Sequence, residues 1–557
     1  MGCKASRRGG APAARVLGPP AAAVALLLAG TCWFAADTHA ADNSLDVTCT
    51  PAAPAAAPLL SVEELTAHID HALADAWQRD GTTVAPPADD AEFLRRASLD
   101  IIGKIPSVSE VEQFLDDAAP DKRRQLVETL LNRGAYAQHF ANTWRNLLLA
   151  GAAENVQSQI NTPQLDMWLR LRFAVNMPYD RLVSDIVNAP IEAPQQPATP
   201  NMRSFIPSPA AFFQANEQKR EMIAASTARI FLGVQVGCAQ CHDHPFSDWT
   251  QRDFWSLAAF FDDPSNGIPP GGSSANAVSI PDSDIVVEPV FLDGTQPDWQ
   301  TESAKRELLS QWMTSRTNPF FARAAVNRLW DHFLGRGFVH PVDDLDKANP
   351  PSHPELLDEL ARQFAGHGFD LNYLIRAITA TRAYQLTSRA SSVEDSDLST
   401  FARMPVRRMT ADQLFASIVQ ATGYRQQRRR AQPGVLPDLA DAAAAFRARF
   451  SDSTVPRTEA ETSILQALTL MNGELVSTAT DLEESETLAA VADAPFLSDE
   501  ERIDSLFMAT LSRRPDAEER ARFVEYVGRD DSPGEHKQAL ADVFWALLNS
   551  AEFALNH

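Results

Sequence analysis

The spacing of large apolar residues constrains this chain more than any other feature. Leu65, Ile69, Leu73 and Trp77 recur every four positions, directly after Ser61 and Glu64, whose separation of three is that of a capping box. Such spacing lines one face of a helix, and that face has to find another element to pack on. The signature returns along the chain. Ser107 and Glu110 mark a second start, and Leu126, Leu130 and Leu131, then Phe140, Trp144, Leu147 and Leu148, supply two further apolar faces. Leu165, Trp168, Leu169 and Leu171 continue towards Leu182 and Ile186, with a break expected at Pro178, whose ring clashes with the preceding turn. Helical patterns also cover 224–231 and the stretch holding Phe254, Leu257, Phe260 and Phe261. Later, Ser352 and Glu355 predict a capping box ahead of Leu356, Leu357, Leu360 and Phe364, and helices are expected over 410–422, 462–470, 500–511, 517–527 and 535–553. No fixed-period repeat is visible, so the fold class is mainly α, helix packed on helix.

A chain of 557 residues is too long for one core. Over 263–297 the composition turns to Gly, Ser, Pro and Asp, and Ile285, Val286, Val287, Val290 and Phe291 form the one clear β-type cluster. The expected layout is two helix-rich domains, 61–263 and 301–557, joined by a segment at 264–300 with a short β insertion. Ahead of them, 41–60 reads as a Pro/Ala-rich linker and 1–40 as a signal peptide. Arg7, Arg8 and Arg15 precede the apolar stretch 21–36, and Thr38-His39-Ala40 offers a cleavage site. Export to the periplasm, cell surface or medium is the expectation, with retention of the leader as an anchor the alternative. No later apolar run reaches the roughly 20 residues a membrane crossing needs. Cleavage removes four basic residues and one acid and moves the net charge from −24 to −27. So acidic a chain repels phosphate backbones and anionic lipid, which excludes nucleic acid as the expected partner. The arginines of 425–430 read as a solvated loop.

Two of the five cysteines lie in the leader, leaving Cys49, Cys238 and Cys241 and no disulfide framework. Cys49 reads as a tail cysteine beside the proline-rich linker. Cys238-Ala-Gln-Cys241-His242 has the spacing that c-type haem attachment requires: two thiols for two vinyl groups, and an adjacent imidazole for the iron. Two other chemistries use the same atoms. Cys238 and Cys241 can pair as a disulfide, structural or redox-active, and zinc or another transition metal can take both thiolates with His242 or His244. For a haem, the sixth ligand is open. The next methionine, Met313, lies 71 residues beyond His242, while Met222, Met202 and His139 lie upstream. His244 also reads as a structural histidine bonded to Asp243 or Asp248.

Elsewhere, His68, His71 and Asp75 share a helix face that is either solvated or metal-binding, and His353 is the most suggestive polar residue of the second half. Asp116-Asp117 and Asp343-Asp344 carry little information in so acidic a chain. No GxSxG elbow, HExxH helix or phosphate-cradling glycine loop appears, and no catalytic residue is assigned.

Phe231-Leu-Gly-Val-Gln-Val-Gly-Cys238-Ala-Gln-Cys241-His-Asp-His244-Pro-Phe246, with Trp249-Thr-Gln and Leu257-Ala-Ala-Phe-Phe261, resembles the planctomycete cytochrome-like domain of unknown function. Phe93-Leu-Arg-Arg, Leu99-Asp-Ile-Ile-Gly103, Tyr136 and Trp144 resemble its earlier part. The second half resembles the domain that habitually follows it, through Asn318-Pro-Phe-Phe, Asn327-Arg-Leu-Trp330, Gly335-Arg-Gly337, Asn349-Pro-Pro-Ser-His-Pro-Glu355 and Trp545-Ala-Leu-Leu-Asn-Ser550. The resemblance implies a CxxCH-bearing protein and weakly implies a role in polymer breakdown. Two functions follow from these residues. One is electron transfer or redox chemistry through a single haem c and an external redox partner. The other is a non-enzymatic scaffold or binding protein whose CxxCHxH loop is a disulfide or metal staple, with a bound metal or no cofactor at all.

Overall fold

The computed structural model describes residues 58–150, 156–191, 206–262, 276–299, 304–389, 398–423, 439–450, 476, 480–482, 485–529 and 532–557. The expected leader, nearly all of the 41–60 linker, Cys49, Met202, the 425–430 arginines and the helix expected over 462–470 lie outside the described residues.

Each apolar stripe that carries a capping signal near the start of the chain becomes a helix. α1 (Val62–Asp80) opens at Ser61, whose hydroxyl accepts from the Glu64 N–H while the Glu64 carboxylate accepts from the Ser61 N–H, and it buries Leu65, Ile69, Leu73 and Trp77. α2 (Asp90–Ile102), α3 (Val108–Asp116), α4 (Lys122–Leu131), α5 (Gly134–Leu148), α6 (Val156–Ala174) and α7 (Tyr179–Val187) follow. Pro178 sits at the N-cap of α7, where its missing N–H costs nothing, so it separates α6 from α7. After α8 (Ala211–Ala215), α9 (Arg220–Thr227) and α10 (Gln251–Ala258), the β-type cluster forms a minimal antiparallel hairpin of β1 (Val278–Ser279) and β2 (Val286–Val287).

Beyond it come α11 (Lys305–Met313), α12 (Phe321–Leu334), α13 (Pro354–Gly366), α14 (Leu371–Ala380), α15 (Ala411–Thr422), α16 (Leu439–Phe450), α17 (Glu486–Asp493), α18 (Asp499–Leu511), α19 (Ala517–Val527), α20 (Pro533–Leu548) and α21 (Ala551–Ala554). A second strand pair joins β3 (Arg407–Arg408) to β4 (Leu555–Asn556). The capping box expected at Ser352 and Glu355 does not form. α13 starts one residue later, with Pro354 at its first position and His353 at the cap, because proline suits a position whose N–H has no helical partner. The Ser352 hydroxyl lies instead 3.0 Å from His353 Nδ1.

The two helix-rich halves share their cores. One hydrophobic cluster runs from Leu65 to Met508, and a second joins Leu99 and Ile105 to residues of α15, α18 and α20, so that Pro58–His557 is one compact unit. At the centre lies α2, buried without interruption from Glu92 to Ile102 even though four of its side chains carry charge. Burying charge is costly unless every group finds a partner. Most of the partners come from the second half, although Arg95 Nε and Arg96 Nε have none among the described residues. Arg95 donates to the carbonyls of Thr510, Glu552, Phe553 and Leu555. Arg96 pairs with Glu92 at 2.5 Å and donates to the carbonyls of Tyr384 and Leu386. Asp100 accepts from Tyr384 Oη, Arg407 Nη2 and Asn556 Nδ2 at 3.0, 2.8 and 2.8 Å.

Removing one member of the Asp100–Arg407 pair strands the other in the core. Arg407→Ala should therefore cost about 3–5 kcal/mol in urea unfolding, and a loss below about 1 kcal/mol would contradict this placement. A pH dependence follows from the same cluster. Burial opposes ionisation of Glu92, but Arg96, Ser388 and Thr387 outweigh it and hold its pKa below the ordinary 4.5. Burial, then the charge of Arg95, holds His557 below the ordinary 6.5. Both folded-state values are depressed, so their contributions are complete above the unfolded values and disappear as pH falls. The unfolding midpoint should begin to drop below pH 6.5 in the wild type, and His557→Gln should make that drop shallower above the carboxylate range, leaving the part due to His353, whose value burial also holds below 6.5. Superimposable profiles would remove His557 from this account.

Candidate functional site

The CxxCH loop is built from its stem upward. α9 runs into a π-helical turn, Ala228–Leu232, which ends at Gly233 with φ +67°. Gly233 has two reasons to lack a side chain. Its conformation disfavours L-residues, and a Cβ there would lie 2.8 Å from Leu345 Cδ1 and 3.1 Å from Ala324 Cβ. The Leu345 N–H donates to the Gly233 carbonyl at 2.7 Å, and Arg229 pairs with Asp343 at 3.0 Å, so the second half of the chain clamps the stem. Val234 and Val236 are buried, and a single 3-10 turn, Gly237–Gln240, then carries Cys238 out to solvent.

Ala239 is fully buried in that turn, while Cys238 and Cys241 are both exposed free thiols. α10 holds the far side. Gln251 Nε2 donates to the carbonyls of Gln240 and Cys241, both at 3.1 Å, and Trp255 Nε1 donates to the Gln240 carbonyl at 3.0 Å. Asp243 Oδ1 accepts from the Gln251 N–H at 2.9 Å, tying the loop to the first residue of α10.

Hydrogen bonds assign opposite roles to the two histidines. His242 Nδ1 lies 2.7 Å from the Asp243 carbonyl oxygen. A carbonyl can only accept, so Nδ1 carries the proton and the lone pair of neutral His242 sits on Nε2. Ligand histidines are commonly held this way, through the other ring nitrogen. His244 Nδ1 instead accepts from the Phe246 N–H at 3.3 Å, which commits its lone pair to the turn. The surroundings are acidic. Asp344 is held above the ordinary 3.8 by burial and by the negative charges of Asp346 and Asp343, against the opposing pull of Asn349 and His244. Asp248, on the loop itself, pairs with Lys347 at 2.7 Å.

The residues present fit a covalently held porphyrin at the attachment end: two solvent-facing thiols on one turn and an imidazole with Nε2 as its acceptor nitrogen. The distal candidates among the described residues are buried or half-buried. His139 packs in the core, where its ring contacts Phe140 and His332 and lies against Gly103; Met313 is buried in α11; Met222 is half-buried in α9. Among the described residues no group of three or more His, Cys, Asp or Glu side chains is arranged to hold a metal ion.

The helix face of His68, His71 and Asp75 was legible in the sequence, but its meeting with His353 was not. His68, His71 and Asp75 of α1 face His353, Glu355 and Glu359 across a polar cleft of about 810 Å³. His71 Nδ1 is 3.1 Å from Asp75 Oδ2 in an exposed pair, and burial, then the charge of Arg79, keeps His353 below the ordinary 6.5. The buried charges of α2 were also missed as a set, although Phe93-Leu-Arg-Arg had marked the place.

Gly233→Ala tests the clamp on the stem. It should destabilise the protein by about 2 kcal/mol or more, from the left-handed conformation and the overlap with Leu345. Hydrogen exchange over 233–241 should quicken as well, and a neutral substitution would show that the stem is not clamped.

Residues 68–266 match the family model PSCyt2, described as a protein of unknown function (DUF1549), and residues 305–527 match PSD1, described as a protein of unknown function (DUF1553). No curated protein and no solved structure matches the chain. The helices beyond 527 return the chain to α2, through Arg95 and the β3–β4 pair. The chain therefore carries a PSCyt2 domain followed by a PSD1 domain, in the order its two sets of motifs imply.

Proposed function

We propose that this protein is an exported electron-transfer protein, in which Cys238 and Cys241 of the CxxCH turn would hold one haem c and His242 Nε2 would ligate its iron. The observation that carries the reading is the tether between His242 Nδ1 and the Asp243 carbonyl, which leaves Nε2 as the acceptor beside two exposed thiols on one turn. Attachment is chemically simple. Each S–H adds across one vinyl group to give a thioether, and nothing leaves. Haem, when bound, supplies one-electron transfer at its iron.

The remaining roles belong to the chain. Gln251 and Trp255 fix the carbonyls of the turn, so the two thiols keep their spacing. Asp243 orients His242 through its carbonyl and anchors the loop to α10 through its carboxylate. Asp343, Asp344 and Asp346 lend a negative field to this face, which favours a redox partner with a positive contact surface. Export fits the chemistry, since haem is attached to such motifs outside the cytoplasm. The leader read over 1–40, cleaved near Ala40, provides the route to the periplasm, cell surface or medium.

A pyridine haemochrome spectrum tests the proposal on full-length protein made with haem-maturation machinery. Wild-type protein should keep a c-type spectrum through denaturation, and the Cys238→Ala, Cys241→Ala double variant should lose all covalent pigment. Colour retained in that variant excludes thioether attachment. Colourless wild-type protein favours the scaffold reading instead, with the loop as a structural staple.

A further inference from the structure

Phe246 presents a problem of its own. The residue is 84% exposed, the highest value for a large apolar residue among those described, and it sits four residues beyond His242. A phenyl ring left in water forfeits the burial that such a side chain gains elsewhere. Fraying does not account for the exposure, because the turn that presents it is tied down. The Phe246 N–H donates to His244 Nδ1, the His244 N–H donates to the Trp249 carbonyl at 2.8 Å, and Asp248 is paired with Lys347. Pro245 stiffens the approach. The nearby aromatic rings are already occupied: Trp249 is half-buried and meets Phe320 at 6.3 Å.

Cys238, Cys241 and His242 are exposed on the same loop. A flat apolar group anchored at those three residues needs apolar surface beside them, and the loop offers the Phe246 ring, which meets the His244 ring edge-on at 6.5 Å and leaves its remaining surface to solvent. Four residues of chain span at most about 14 Å, so Phe246 stays within reach of anything fixed at His242.

We propose that Phe246 is a cofactor-packing residue, whose ring lies against the porphyrin held by Cys238 and Cys241 and shields part of it from water. This inference rests on the haem reading above. Shielding disfavours the more highly charged oxidised form, so the ring raises the reduction potential. Phe246 has no such task in protein that lacks haem.

The test compares Phe246→Ala and Phe246→Leu in two full-length backgrounds, the haem-loaded protein and the Cys238→Ala, Cys241→Ala double variant. Spectroelectrochemistry gives the midpoint potential, and thermal unfolding gives the stability. In the haem-loaded background, Phe246→Ala should lower both the potential and the unfolding midpoint, and Phe246→Leu should restore most of each. In the cysteine-free background, Phe246→Ala should leave the unfolding midpoint unchanged. Pigmented Phe246→Ala protein that matches wild type in potential and stability overturns the inference alone. So does an equal loss of stability in both backgrounds, which assigns Phe246 a purely structural role. Wild-type protein without covalent haem overturns the haem reading and this inference with it.

Discussion

Everything in this fold leans on the burial of charged side chains along α2. Glu92, Arg95, Arg96 and Asp100 leave water together, and each costs free energy that only specific partners offset. Those partners arrive from residues 384–388, 407, 510 and 552–556, hundreds of positions away in sequence. The helix cannot settle with its charges satisfied until the second half has closed around it. This dependence joins the two halves of the chain more specifically than apolar contact does, since hydrophobic clusters accept many arrangements and a five-donor guanidinium accepts few.

The same joining positions the CxxCH loop. Its thiols and imidazole belong to the first half, but its stem is held by Leu345, Asp343 and Ala324 from the second. The acidic side chains that give the loop its electrostatic setting also come from that segment. Neither half carries the complete site.

Much of the architecture was legible because helix signals are local. Ser61 with Glu64 and Ser107 with Glu110 form their capping boxes, and the stripes of α1 and α5 are largely buried as their spacing predicts. The Ser352 box failed on an equally local ground, Pro354, whose preference for the first helical position moved the start. Long-range facts were not legible. Glu92 and Arg96 are four apart, which in sequence looks like a solvated surface pair, and only the fold shows them in the core. His68 and His353 are separated by about half of the chain, yet line one cleft. At the loop, the motif named the atoms, while the tautomers of His242 and His244 depended on which backbone groups the turn brought to them.

The central claim is that the two halves form one cooperative structure around α2, and hydrogen exchange under increasing denaturant, read by mass spectrometry, addresses it most directly. Amides of α2 and of α20 should show a common opening free energy and lose protection together. If α20 exchanges through a separate, lower-energy opening while α2 stays protected, the halves are independent and the account is wrong.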